Sequence, residues 1–78
     1  MHVTELDNVL SYLKKRHLLR HYEKAKKKLK RGDTSGVQLR KRQPKSSDVW
    51  YFRINKQYRA FCFRDGDTLV VFDVNDHQ

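Results

Sequence analysis

Cysteine, proline and glycine are scarce in this 78-residue sequence, which has one Cys, one Pro and three Gly. A single cysteine forms neither an internal disulfide nor a multi-cysteine zinc site, so a reducing cytoplasmic setting is expected. No apolar run approaches the roughly 20 residues that span a bilayer, and no secretory signal is recognisable. The length predicts one domain, residues 1–78, and nine aromatic residues argue against a disordered basic tail.

Positive charge is abundant and unevenly distributed along the chain. There are 18 Lys and Arg against 9 Asp and Glu, a formal net charge of +9. Residues 1–47 carry 14 basic and 4 acidic side chains, whereas residues 48–78 carry 4 and 5. A basic half of this kind attracts a polyanion, most commonly nucleic acid. An anionic membrane surface, an acidic protein or a solvated lysine-rich helix face would have the same composition.

The first half of the sequence predicts helix. Two apolar stripes at helical spacing lie there out of phase with each other: Leu6, Leu10 and Leu13, then Leu18, Tyr22, Ala25 and Leu29. The phase slip predicts a helical hairpin over about residues 5–31, with a break near residues 16–18. One long helix is the alternative, because no Gly or Pro marks the break. We expect a capping box from Thr4 to Asp7 at its start and a glycine stop at Gly32.

The second half predicts a small antiparallel sheet over about residues 37–75, which gives an α+β fold with the helical hairpin first and packed on the sheet. A short strand is expected at residues 37–39, and a tight connection at residues 55–57. Asp65-Gly66 is a strong two-residue hairpin signal before the last strand.

These turn lengths also assign the faces of the strands. The connection at 55–57 places Arg53 opposite Arg59, and the Asp65-Gly66 loop places Cys62 opposite Leu69 and Arg59 opposite Phe72. One face is then nearly all apolar and should pack on the helices. The other face carries Tyr51, Arg53, Arg59, Phe61, Phe63, Val70 and Phe72. Rings around two arginines suit a surface that binds RNA, and a second core face covered by a partner is the alternative.

The order of helices, basic strand, FRINKQYRAF (residues 52–61), DGDTLVVFDV (residues 65–74) and terminal NDHQ resembles the RelE/ParE toxin superfamily. These proteins are the toxin halves of type II toxin–antitoxin operons. The resemblance covers nearly the whole chain and implies a small sheet wrapped on a helical hairpin. In the RelE-like branch it also implies ribosome-dependent cleavage of mRNA, which an antitoxin protein blocks by covering the site.

Metal-free RNA cleavage uses the adjacent ribose 2′-OH as nucleophile and needs positive charge on the crowded phosphate. Arginine suits this role because its fork binds two phosphate oxygens and stays charged. Arg59, the arginine of the YR pair, is the strongest candidate, and Arg53 across the hairpin can share the phosphate. A surface ion pair with Asp73 or Asp76 is the structural alternative for either. His77 resembles the acid/base residue of some branches, although strict alternation places Asp76 on the arginine face instead.

Further residues have weaker assignments. Candidate RNA contacts are Arg40, Lys41, Arg42 and Lys45, as a phosphate grip or a lysine base, and Tyr51 and Phe61, as stacking rings. His17 and His21 have the i,i+4 spacing of a metal pair, but the sequence places no third ligand, so no metal and no cofactor are expected. Cys62 is expected to be an inert core residue.

The sequence therefore predicts a cytoplasmic toxin that cleaves mRNA on the ribosome and inhibits translation. Its expected partners are a cognate antitoxin, mRNA and ribosomal RNA, with no membrane. Two alternatives remain open. One is a ParE-like poison of DNA gyrase, and the other is a non-catalytic RNA-binding or ribosome-associated module.

Overall fold

Two α-helices and a five-stranded mixed sheet form an α+β fold in the computed structural model, which describes residues 1–44, 46 and 48–76. In chain order the elements are β1 (His2–Glu5), α1 (Asp7–Lys15), α2 (Leu19–Lys30), β2 (Arg40–Lys41), β3 (Val49–Arg53), β4 (Tyr58–Asp65) and β5 (Thr68–Asp76). The strands lie in the order β1-β5-β4-β3-β2, so the long hairpin of β4 and β5 occupies the centre of the sheet.

The predicted helical hairpin is confirmed. His17 lies between the helices with a φ of 57°, and this left-handed residue produces the phase slip between the two apolar stripes. The glycine stop is also confirmed, since Gly32 has a φ of 83°. Its N–H donates to Leu29 O at 3.0 Å and the N–H of Asp33 donates to Lys28 O at 2.9 Å, which is the Schellman pattern. Neither of these helices has the length and hydropathy needed to cross a bilayer.

The prediction that the helices come first is wrong, because residues 2–5 form strand β1. Thr4 pairs with Val70 and is not a helix cap. Leu6 precedes α1 instead and makes no side-chain capping bond, so the capping box is also wrong. Because β1 runs parallel to β5, the sheet is mixed rather than purely antiparallel.

Two local predictions in the second half are also corrected. Residues 35–37 form a 3₁₀ turn, and Gln38 is left-handed with a φ of 54°, so the edge strand begins at residue 40 rather than 37. Asp65 pairs with Thr68, which makes Gly66 and Asp67 the loop residues. Cys62 therefore faces Val71 and not Leu69. The register of β5 against β4 thus differs from the prediction by two residues. An even shift leaves every side chain between the loop and Val71 on its predicted face.

A β-bulge then changes the phase of β5. Phe61 pairs with Asp73 while Cys62 pairs with Val71, so Phe72 is the extra residue. Beyond the bulge Arg59 pairs with Asn75, and the prediction that it lies opposite Phe72 is wrong.

The helices and one face of the sheet enclose the core. Its buried members are Val3, Val9, Leu13, Leu18, Tyr22, Ala25, Leu29, Val37, Phe52, Ile54, Ala60, Cys62, Leu69, Val71 and Val74. Tyr22 and Phe52 are completely buried at its centre, with their rings 6.4 Å apart. Burial raises the pKa of the Cys62 thiol to about 12, so the reactive thiolate does not form near neutral pH. This agrees with the inert core role that the sequence predicts.

A polar cluster connects β1 to α2 at the rim of this core. The Tyr22 hydroxyl donates to Glu5 Oε1 at 2.7 Å, and Lys26 Nζ donates to the same oxygen at 2.9 Å. Burial by itself would raise the pKa of Glu5, but these two hydrogen bonds and the lysine charge outweigh it, so this pKa is lowered. Burial and the neighbouring carboxylate raise the pKa of Tyr22. The cluster fixes the first strand on the second helix.

Candidate nucleic-acid interface

The sheet face turned away from the helices carries aromatic and cationic side chains. Seven residues define what we call the open sheet face: Tyr51, Arg53, Arg59, Phe61, Phe63, Val70 and Phe72. Cross-strand pairing places Arg53 opposite Arg59, Tyr51 opposite Phe61, and Phe63 opposite Val70. These residues are half-buried or exposed, whereas the residues that alternate with them include the buried Phe52, Ala60, Cys62, Leu69 and Val71. The structure thus brings together on one surface the residues that alternation assigned to it.

Arg59, the second residue of β4, is held against an aromatic ring of β3. Its guanidinium carbon lies 4.8 Å from the ring centroid of Tyr51, within cation–π distance. Its Nε is buried and has no hydrogen-bond partner among the described residues. A buried donor without a partner costs about 1–3 kcal/mol, and a ligand that supplies an acceptor removes that cost.

Neither arginine of this face is neutralised. In the described part of the chain, Arg53 and Arg59 form no ion pair. The carboxylate of Asp73 accepts from Asn75 Nδ2 at 2.7 Å, and that of Asp76 accepts from Gln57 Nε2 at 3.0 Å. Two like charges directly opposite each other across a strand pair are destabilising, and a bound anion would relieve the repulsion.

Two arginines of the basic segment extend this charge to the edge of the sheet. Arg40 pairs with Tyr51 and therefore shares its face. The guanidinium carbon of Arg42 lies 5.6 Å from the ring centroid of Phe61. Both predicted phosphate contacts thus lie on the same side of the sheet as Arg59.

Lys41 lies elsewhere. It pairs with Trp50, whose face is turned toward the helices, and its Nζ lies 5.9 Å from that ring centroid and 3.4 Å from Asp48 Oδ1. Alternation along a strand sends adjacent residues to opposite faces, so Lys41 lies on the side of the sheet away from Arg40 and Arg59. Lys45 and His77 lie outside the described residues.

The rings form two pairs along this face. Tyr51 and Phe61 have centroids 5.9 Å apart, and Phe63 and Phe72 stack at 6.1 Å with 26° between their planes. Phe63 is 43% exposed, a large exposure for a phenylalanine side chain. Rings beside arginines provide stacking surfaces for unpaired bases and cations for the phosphates between them.

Sequence reasoning missed two polar residues at this surface. The bulge places Asp73 opposite Phe61 and Asn75 opposite Arg59, whereas uninterrupted alternation predicted Asp76 there. Asp76 pairs instead with Tyr58, whose side chain packs against the core. No local feature of the sequence marks the bulge, so only the strand pairing reveals that Asp73 lies on the face of the arginines.

A metal pair at His17 and His21 is not formed in helical geometry, because His17 lies in the break before α2. Within residues 1–44, 46 and 48–76, no group of three or more His, Cys, Asp or Glu side chains is placed to hold a metal ion.

No protein-family model matches the chain, and no curated protein matches it. The function is therefore inferred from the site itself and from the sequence resemblance.

Proposed function

We propose that this protein is a RelE-like toxin, a metal-independent endoribonuclease that cleaves mRNA on the ribosome and so inhibits translation in the cytoplasm. A cognate antitoxin protein covers the open sheet face when the toxin is silent. The coarse α+β arrangement, with a helical hairpin on one face of a small sheet, is compatible with the fold that the RelE/ParE resemblance implies.

One observation carries the proposal, namely the state of Arg59. Its guanidinium lies over the Tyr51 ring, its Nε lacks a partner among the described residues, and Arg53 stands directly opposite without an intervening carboxylate. An arginine that is fixed in place and has no counter-charge is preorganised for a phosphate. A purely structural arginine would be expected to have its ion pair within the fold.

The chemistry follows from that placement. The ribose 2′ oxygen attacks the adjacent phosphorus, the bond to the 5′ oxygen breaks, and the products are a 2′,3′-cyclic phosphate and a 5′-hydroxyl. Negative charge accumulates on the phosphoryl oxygens during this step. Arg59 stabilises that charge, with Arg53 as its neighbour, and Tyr51 and Phe61 stack the flanking bases.

Proton transfer needs two further groups, one for the 2′-OH and one for the departing 5′ oxygen. Asp73 is the carboxylate that the bulge places on this face and is our candidate for the base. His77 stays the candidate for the acid, since a histidine titrates near neutral pH. We expect His77→Ala to lower the single-turnover cleavage rate by about 100-fold or more while ribosome binding is retained. A parental rate would remove His77 from the mechanism.

The test is expression of Arg59→Ala without a partner protein, beside a matched control on the same strand. Arg64 is that control, because it is exposed near the hairpin and its Nε donates to Gly66 O. Parental protein and Arg64→Ala should arrest growth and cleave mRNA on programmed ribosomes. Arg59→Ala should lose about 100- to 1000-fold in single-turnover cleavage, the usual effect of removing one charge-stabilising donor. Circular dichroism checks that each variant is folded.

The outcomes separate this function from its alternatives. A folded Arg59→Ala protein that remains fully toxic would remove Arg59 from the site. A primary fall in DNA synthesis, with protein synthesis intact in pulse labelling, would support a gyrase poison. Ribosome binding by the parental protein with no cleavage product would support a non-catalytic RNA-binding module.

A further inference from the structure

A second basic concavity lies beside the open sheet face, between α2 and the connection from β3 to β4. We call it the α2 groove; its volume is about 360 Å³. Its basic side chains come from two separate segments of the chain. His21, Lys24 and Lys28 line it from α2, and Arg53 and Lys56 line it from the end of β3 and the turn that follows.

The local structure explains why these basic side chains converge. Positions 21, 24 and 28 have the i, i+3, i+7 spacing that places side chains on one face of a helix. Ala25 and Ile54 are buried and form part of the floor. Asn55 accepts hydrogen bonds from the N–H groups of residues 57 and 58, which fixes the turn that presents Lys56.

The groove has no internal counter-charge. None of the described residues that line it is acidic. The nearby carboxylate of Asp33 accepts from the N–H of Gly36 and from the Ser35 hydroxyl. Among the described residues, Lys24 and Lys28 form no ion pair, whereas Lys26 on the same helix is paired with Glu5. Like charges gathered without a partner repel one another, so this arrangement favours an anionic ligand.

Arg53 connects the two surfaces. It pairs across the sheet with Arg59 on the open sheet face, and it also lines the α2 groove. Arg53 therefore lies where the rings and arginines of the open sheet face meet the groove lined by the lysines of α2. Rings followed by a cationic channel are the pattern of proteins that bind single-stranded nucleic acid, whereas an acidic peptide has no need of the rings.

We propose that the α2 groove binds backbone phosphates of the single-stranded RNA whose neighbouring nucleotides lie on the open sheet face. This inference rests on the proposed function, because it extends the path of the same RNA. Lys24, Lys28 and Lys56 hold the phosphates, and Arg53 marks the crossing between the two surfaces. The groove contributes affinity and strand direction and takes no part in bond cleavage.

The test measures binding of a fluorescent 2′-O-methyl RNA 12-mer, which cannot be cleaved by 2′-OH attack, as a function of salt. Lys24→Gln/Lys28→Gln removes two charges from the groove. Lys27→Gln/Lys30→Gln removes two charges from the same helix at exposed positions that do not line it. For two lost phosphate contacts we expect the slope of log K against log salt to become shallower by about 1.4, with affinity lower by about tenfold near 0.1 M salt. The control pair should keep the parental slope.

Equal slopes and equal affinity losses in the two double variants would overturn the proposal, because net charge would then explain both. Absence of RNA binding by the parental protein would overturn it as well. Titration with inorganic phosphate, followed through the amide signals of Gly36 and Lys56, is a second arm. Saturation there without any RNA binding would assign the groove to a free phosphate ligand instead. The proposed function is tested separately, since Arg59→Ala measures toxicity and cleavage and leaves the groove intact.

Discussion

Glu5 provides the sharpest test of how this small fold is held together. Its Oε1 accepts one hydrogen bond from Tyr22 and one from Lys26, and these two contacts connect β1 to α2. Glu5→Ala removes the acceptor and leaves the hydroxyl of a completely buried tyrosine without its partner. The side chain of Lys26 is 18% exposed, so its ammonium can be partly rehydrated.

The magnitude follows from these exposures. An unsatisfied buried hydroxyl costs about 1–3 kcal/mol, and a hydrogen bond to a charged group contributes about 1.5–3 kcal/mol. With partial rehydration of Lys26, we expect Glu5→Ala to lower the free energy of unfolding by about 3 kcal/mol. In a domain of this size each kcal/mol shifts Tm by about 4–8 °C, which gives a fall of roughly 12–24 °C. Glu5→Gln keeps an acceptor for Tyr22 but loses the charge. Its free energy of unfolding should therefore lie between those of the parental protein and Glu5→Ala.

Thermal and urea unfolding followed by circular dichroism measure the effect. Glu23→Ala is the matched control, because it removes the same charge from an exposed position of α2, and it should change the free energy of unfolding by less than about 0.5 kcal/mol. The folded pKa of Glu5 is lowered, so its charge stabilises the fold above the unfolded pKa of about 4.3 and loses this effect as the pH falls through the folded value. The difference in free energy of unfolding between the parental protein and Glu5→Ala should therefore become smaller at acid pH. Equal unfolding curves for Glu5→Ala and Glu23→Ala would refute the reasoning.

Three further predictions follow from other contacts. The folded pKa of Tyr22 is raised, so the contribution of its neutral hydroxyl to the free energy of unfolding is complete below about pH 10 and is lost as the pH rises further. Tyr22→Phe should therefore make stability depend less on pH in the alkaline range. Gly32→Ala should cost about 1 kcal/mol in urea unfolding, because a φ of 83° is unfavourable for alanine although no atom lies within 4 Å of the new Cβ. Arg53→Glu/Arg59→Glu should weaken the calorimetric affinity for an antitoxin encoded beside this protein, and an unchanged affinity would place that interface away from the open sheet face.

Much of the fold could be predicted because its strongest determinants are local. The phase slip between Leu13 and Leu18 is a direct consequence of the left-handed residue between the helices, and Gly32 ends α2 for a steric reason visible in the sequence. β1 was missed because its pairing with residues 68–71 depends on chain that is remote in sequence. Four residues give little periodicity, and Thr4 before Asp7 has the same pattern as a helix cap.

The candidate site shows the same division. The pairing of Arg53 with Arg59 follows from one short turn. The predicted register at the Asp65-Gly66 hairpin was wrong by two residues, and an even shift leaves the same side chains on the open sheet face. The bulge at Phe72 is different, because one inserted residue reverses the faces beyond it. Asp73 and not Asp76 reaches the arginine face for that reason. The α2 groove could not be predicted either, since the sequence shows a run of lysines but not which of them face β3.

The parallel pairing of β1 with β5 has a consequence for how the chain folds during synthesis. Residues 2–5 are translated well before their partners, residues 68–71, so β1 cannot join the sheet until β5 has been translated. The helical hairpin can form early, while the aromatic rings of β3 and β4 lie on an incomplete sheet. A nascent chain that stops before residue 68 therefore lacks β5, so β1 has no partner strand and β4 keeps an unpaired edge. Such a fragment should be readily degraded, which ties completion of the fold to translation of its last strand.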